Sequence, residues 1–251
     1  MLVTTPDAPT FRLAYVPGVT PGKWVRIWQE RLPDVPLDLV GVTVAECASA
    51  IGRGEVQMAI TRLPDALRHG DPGPHHTIEL YEETTVVVVP KDHVLTAGDE
   101  LTFDDLTDEH FLWPLDEPLR IDEQPGPAIE HRPETVADAI ELVAAGIGLL
   151  LVPMSLARLH HRKDLAYRPV TDAPTSTVGL LWPQPTGEFA DEFIGIVRGR
   201  KATSSRGRAA EPAPKRSAKE KAAARRAARE AAGKIPGKSA RKKAGGRPKR
   251  R

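Results

Sequence analysis

A single cysteine, Cys47, in 251 residues rules out an intramolecular disulfide framework. No apolar run approaches the ~18 residues a membrane-spanning helix needs. The opening segment MLVTTPDAPT has neither a basic start nor an apolar core, so it does not read as a secretory signal. These absences point to a reducing cytosol and away from a membrane. Cys47 sits in the apolar–small pattern VAECASAIG and is expected as an inert core thiol. Motifs for chemistry are equally scarce. The chain has no P-loop, no Gly-Xaa-Ser-Xaa-Gly elbow and no Cys-Xaa-Xaa-Cys pair. His75–His76 and His160–His161 are adjacent pairs whose side chains diverge on a helix or strand, which makes them poor chelates without distant partners. No nucleophile, base and orienting group emerge together, so neither an enzyme nor a cofactor or metal is expected.

Net charge is also nearly absent, but only in the total. Residues 1–197 hold 14 Lys/Arg against 31 Asp/Glu, whereas residues 198–251 hold 21 against 3. An acidic body of −17 therefore carries a basic tail of +18. Asymmetry of this kind suits a tail that meets nucleic acid or an anionic surface.

The body reads as alternating strands and helices. Phe11–Val16 is a predicted strand and Gly22–Arg31 a helix with Trp24, Ile27 and Trp28 on one face, stopped by Pro33 and Pro36. Leu37–Val40, Val44–Ile51 and the run VQMAIT continue as strand, helix and strand, the spacing of right-handed parallel βαβ units. Thr84–Pro90, TTVVVVP, is a β-branched run suited to a strand buried on both faces. Phe111–Pro114 is read as a short strand, TVADAIELVAAG as an amphipathic helix ending at a C′ glycine, LLLVP and TVGLLWP as strands and EFADEFIGIVRG as the closing helix. Beyond Arg198 the pattern dissolves into Ala, Lys, Arg, Gly and Pro without an aromatic residue, a composition that cannot bury enough apolar surface to fold alone.

In order along the body stand FRLAYV, GEVQMAITRLPD, VVVVPKDHVL followed by LTFDDLTDEHF, and ELVAAGIGLLLVPMS. This ordered set, over about 190 residues, resembles the effector-binding domain of LysR-type transcriptional regulators, with its type-2 periplasmic-binding-protein fold. Where the family often has an acidic residue, this chain has Gln57. The resemblance implies an α/β fold of two Rossmann-like subdomains joined by two crossing strands, with a small-molecule cleft between them. The domains it implies are a leader 1–9, a substrate-binding domain 10–198 and a basic disordered tail 199–251. Subdomain I would be 10–83 plus 171–198, and subdomain II 84–170. It also implies dimerisation, either of this chain with itself or with a LysR-type regulator.

Ligands of open α/β sheets gather beyond the carboxyl ends of strands, where helix N-termini favour anions. The junction GVTPGK has that placement. Thr20 can cap the helix or contact a ligand, and Gly22 leaves the backbone open to a carboxylate. The resemblance makes Thr20 a ligand contact and maps Thr43 to a second one. It also implies that Arg62 can reach an acidic ligand; the competing reading is a surface pair with Asp65. Thr135 and Ser155 complete the candidate set, each of them by itself reading first as a cap or turn residue. The expected effector is thus a small molecule bearing a carboxylate. The family has a longer helical segment where this chain has LDEPLRIDEQPGPAIEHRP, and Pro118, Pro125 and Pro127 argue against a helix there.

Only ten residues precede the first strand, leaving no room for the family's helix-turn-helix, so the tail is the expected DNA contact. Its candidate contacts are Arg225, Arg226, Arg229, Lys242, Lys243, Arg247, Lys249, Arg250 and Arg251. GRPK at 246–249 resembles part of an AT-hook core, with Gly245 where the hook has an arginine. Binding without aromatic stacking would rest on phosphate neutralisation, strongly salt-dependent and nearly sequence-blind. Other readings stay open, among them a plain solvated tail or one that contacts anionic membrane or ribosomal RNA. The tail can fold onto its own acidic body, and the domain can be an interaction module with a vestigial cleft that pairs with a full-length regulator.

Overall fold

The computed structural model describes residues 10–63, 75–119, 121–122 and 124–200. The leader, Asp65 and the tail candidates from Arg225 to Arg251 lie outside the described residues. In chain order the first elements are β1 (Phe11–Tyr15), α1 (Gly22–Arg31), β2 (Leu37–Gly41), α2 (Val44–Gly52), β3 (Met58–Leu63), β4 (His75–Glu83) and β5 (Thr85–Pro90). Then follow α3 (Val136–Ala144), β6 (Leu150–Pro153), α4 (Met154–Leu159), β7 (Leu165–Pro169), β8 (Ser176–Pro183) and α5 (Ala190–Val197). Among the described residues no helix is long and apolar enough to cross a membrane.

β1 pairs parallel with β2 and β3, as the alternating pattern predicts. Two antiparallel strands extend that sheet to the order β2-β1-β3-β8-β4. β4 escapes sequence reading because it is an edge strand with a bulge between Glu79 and Tyr81 and mostly solvated side chains, so its alternation is broken. Its His76 ring lies 5.3 Å from that of Trp182, so this histidine packs on an aromatic neighbour. The second sheet, β6-β5-β7, is antiparallel throughout. β7 is likewise missed, being half-buried along its whole length. The predicted strand Phe111–Pro114 is reduced to bridges from Phe111 to Ala128 and Leu149, since Pro114 brings no N–H to continue a ladder.

Each sheet has its own core. β5 is buried on both faces, with Val86 and Val88 facing α3 and α4 and Val87 and Val89 facing Leu106, Phe111 and Leu149. α3 ends in a Schellman cap, with Gly146 at φ 73° donating to Val143 O and Ile147 to Leu142 O. In the first lobe, Phe11 of β1 stacks on Trp28 of α1 at 4.6 Å, and Phe193 of α5 closes the group at 5.5 Å from Phe11. Trp28 also spends its indole N–H on Val35 O at 2.9 Å, which fixes the turn between α1 and β2.

The chain crosses between the sheets twice, at Thr84 and over residues 170–175. The buried Thr85 hydroxyl donates to Pro174 O, and Val170 N–H donates to Thr85 O at 3.0 Å. The crossings are thereby tied to each other. Among the described residues between Pro114 and Pro133 there is no helix, in keeping with the prolines.

Trp28→Ala removes the ring on which Phe11 and Phe193 rest. A loss of about 3–5 kcal/mol in unfolding free energy is expected by urea titration. Burial pushes the Cys47 thiol up to about 11. At pH 8 the native chain should therefore leave Cys47 unlabelled by iodoacetamide on a timescale that labels the urea-unfolded chain fully.

Candidate functional site

β1 and β2 run parallel, so their carboxyl ends lie side by side and open onto one space. A cleft of about 580 Å³ fills it, lined by Tyr15 and Pro17 to Thr20 on one side, Gly41 to Thr43 with Glu46 on the next, and Ser155 and Leu159 of α4 across from them. The first two sets belong to the five-stranded lobe and the last to the three-stranded lobe. Of the six predicted ligand residues, Thr20, Thr43 and Ser155 come together here.

The three hydroxyls differ in how far they are already engaged. α1 takes Pro21 as its N-cap with no side-chain cap bond, so Thr20 is not the helix cap. Its exposed hydroxyl makes no hydrogen bond among the described residues. Thr43 does cap α2. It donates from N at 2.8 Å and from Oγ1 at 2.9 Å to Glu46 Oε2, while Glu46 N–H returns to Thr43 Oγ1 at 3.3 Å. These bonds, from the Thr43 amide first and its hydroxyl second, hold the Glu46 carboxyl below the usual carboxylate range. Ser155 accepts from Arg62 Nη2 at 2.9 Å, which leaves its own proton to donate.

Arg62 departs from both expectations. It is 2% exposed, so it is no surface residue, and it lies one layer beneath the cleft rather than in its lining. Nε meets Glu83 Oε2 at 2.9 Å, Nη1 donates to Pro17 O at 3.0 Å, and Nη2 reaches Ser155. One guanidinium thus joins β3, the end of β4, the turn after β1, and α4 of the other lobe. Gly18 is part of this arrangement: at φ 85°, a Cβ there would stand 2.7 Å from Ser155 Oγ and 3.0 Å from Arg62 Nη2.

The remaining predicted residues sit apart from the cleft. Gly22 opens α1 in the exposed first turn but does not contribute to the lining. Thr135 caps α3 in a capping box with Asp138, its hydroxyl donating at 2.7 Å, and it too is absent from the lining. Sequence reasoning missed Tyr15, Val19, Val42, Glu46 and Leu159. Only Glu46 carried a signal, the Thr-Xaa-Xaa-Glu spacing of 43–46.

Arg62→Met strands a carboxylate that is 7% exposed, Glu83. A cost of about 3–5 kcal/mol is expected by chemical denaturation, with most of it recovered in the Arg62→Met/Glu83→Leu double variant. A single-variant cost under about 1 kcal/mol would mean the pair is not a structural requirement.

Comparison with known proteins agrees with this geometry. The LysR substrate binding domain family matches residues 5–201. The Hca operon transcriptional activator HcaR of Escherichia coli K12 is 25% identical over 209 residues, 78% of this chain and 66% of its own length. The HTH-type transcriptional regulator CatR of Pseudomonas putida is 32% identical over 150 residues, 56% of this chain and 50% of its own. The chain thus spans about half to two thirds of these relatives' length. Among solved structures, the BenM effector binding domain with its effector benzoate shares the fold at a TM-score of 0.61 and 20% identity, over 76% of this chain and 91% of that one. The oxidised form of OxyR does so at 0.62 and 18% identity, over 77% and 96%. With its two lobes, crossing strands and interlobe cleft, the chain belongs to the LysR substrate-binding domain family.

Proposed function

We propose that this chain senses a small effector in the cleft between its lobes and uses that event to modulate transcription, with its basic tail contacting DNA. The observation that carries the sensing half is the placement of Ser155. It lines the cleft and is also hydrogen-bonded to Arg62, whose partner Glu83 stands next to the crossing at Thr84. An effector that engages Ser155 from one lobe and Thr20 or Thr43 from the other favours one lobe angle over another. A ligand shifts such an equilibrium only by its differential affinity for the two states. The family's regulators dimerise, and a dimer with itself or with a complete LysR-type regulator would carry the change onward.

The tail half rests on charge alone. Twenty-one Lys/Arg against three Asp/Glu over residues 198–251 favour phosphate contacts that release counterions and ignore base sequence. The carboxylate effector expected from the sequence drew on the helix start after Thr20 and on Arg62, and that guanidinium is engaged by Glu83. The charge of the effector therefore has to be read from the lining itself.

Two measurements test this. In a thermal-shift panel of small metabolites, hits on the full chain should disappear in Thr20→Trp, which fills the cleft; no such hit would end the sensing reading. In fluorescence anisotropy with a random-sequence duplex, the full chain should bind and a chain truncated after Arg198 should not. With 6–10 phosphates contacted, affinity should fall about 10³–10⁵-fold between 50 and 200 mM salt. Equal binding by both chains, or salt-independent binding, would remove the tail from the DNA contact.

A further inference from the structure

The side chains around the cleft carry charge of one sign only. Glu46 contributes a carboxylate, and no Lys, Arg or His belongs to the lining. Arg62, the cation nearest the floor, is neutralised by Glu83 and covered by Gly18 and Ser155. The N-terminus of α2, where an anionic ligand would find free N–H groups and the helix dipole, is already served by the protein's own Glu46. Both Thr43 donors go to Oε2, which leaves Glu46 Oε1 without a partner among the described residues.

Other groups complete a matching set. Thr20 brings an unengaged hydroxyl oxygen that can accept, and the Tyr15 ring brings a π face of the kind that attracts cations. Pro17, Val19, Val42 and Leu159 supply apolar walls, and about 580 Å³ is ample for a drug-sized molecule. Residues 1–197 have the same sign in sum, −17, against the +18 of residues 198–251.

We propose that the cleft selects a small molecule with a protonated amine on an apolar body, Glu46 serving as its counter-ion, and that it discriminates against carboxylates. This rests on the cleft being the effector site. An ammonium offers three donors and no acceptor, which suits Glu46 Oε1 and the Thr20 hydroxyl. A carboxylate placed in the same cleft would lie beside Glu46 with no cationic side chain in the lining to offset it, only the uncapped start of α1 after Thr20, and like charges in one site disfavour each other. The preference is modest in size because Glu46 is exposed. A unit charge about 5 Å away in a water-like dielectric changes affinity about fourfold, and salt screens the effect.

The test uses the full chain and matched triplets that share one apolar body, beginning with benzylamine, benzyl alcohol and benzoate, followed by ligand-observed NMR. The amine should bind tightest and the carboxylate weakest. Amine affinity should fall as salt rises from 50 to 500 mM while that of the alcohol holds. Glu46→Gln should lower amine affinity about fourfold and leave the alcohol unchanged, because a glutamine oxygen still accepts from Thr43 and preserves the cap. Carboxylates binding best, or an amine preference indifferent to both salt and Glu46→Gln, would overturn the proposal and leave the cleft as an effector site of another class. If no member of any triplet binds in a manner that Thr20→Trp abolishes, the effector-site reading itself fails and the amine proposal falls with it.

Discussion

The guanidinium of Arg62 is the group that the arrangement of this domain depends on. An arginine at 2% exposure is tolerable only if its donors are used, and here three of its nitrogens are. Each bond fixes a different part of the chain. Glu83 is held at the end of β4, one residue before the crossing, and Pro17 O is held in the turn after β1. Ser155 is held at the start of the helix that the other lobe presents to the cleft. Lysine could not do this, since its ammonium is a point charge without the fork geometry that spans three directions. The glycine at 18 follows from the same constraint, because any side chain there would displace either the serine or the guanidinium.

Such a network couples three things that are separate in the sequence: the floor of the cleft, the end of an edge strand, and the contact between lobes. Removing one member leaves buried charge or an unpaired donor, so the network has few intermediate states. The tie between Thr85 and Pro174 acts similarly at the crossings, where the first residue of β5 is anchored to the segment that returns between β7 and β8. Ser155, Arg62 and Glu83 thus form a short path of polar bonds from the cleft to the residue before the crossing at Thr84.

Much of the fold was legible in the sequence because its signals are local. The valine run of β5, the parallel βαβ spacing of β1 to β3, and the glycine that ends α3 each follow from neighbouring residues. β4 and β7 were not legible. Both owe their strand state to pairing partners, β8 and β5, far along the chain, and their own side chains are half solvated. The site divides the same way. Thr20, Thr43 and Ser155 were placed by strand and helix ends and do meet at the cleft. The burial of Arg62 was not legible because its partner, Glu83, lies 21 residues away on another strand. A hint was available: a cation in the otherwise apolar MAITRL demands a buried carboxylate somewhere. Thr135 and Gly22 had the right local chemistry at helix starts that do not line the cleft.

Charge in this chain sorts by how completely it is answered from within. Arg62 and Glu83 cancel in the core, so the pair spends its interaction on position and offers nothing to a ligand. Glu46 is answered only in part, by a cap that consumes one oxygen, and what remains colours the cleft. In residues 198–251 there are 21 cations and three anions, so most of that charge has no neighbour in sequence to answer it. Such charge is available to phosphate at low salt and loses its hold as salt rises, whereas the buried pair is screened far less. Ionic strength therefore acts unevenly on the molecule. It weakens whatever the exposed charges recognise and leaves the Arg62 network, and with it the geometry of the cleft, in place.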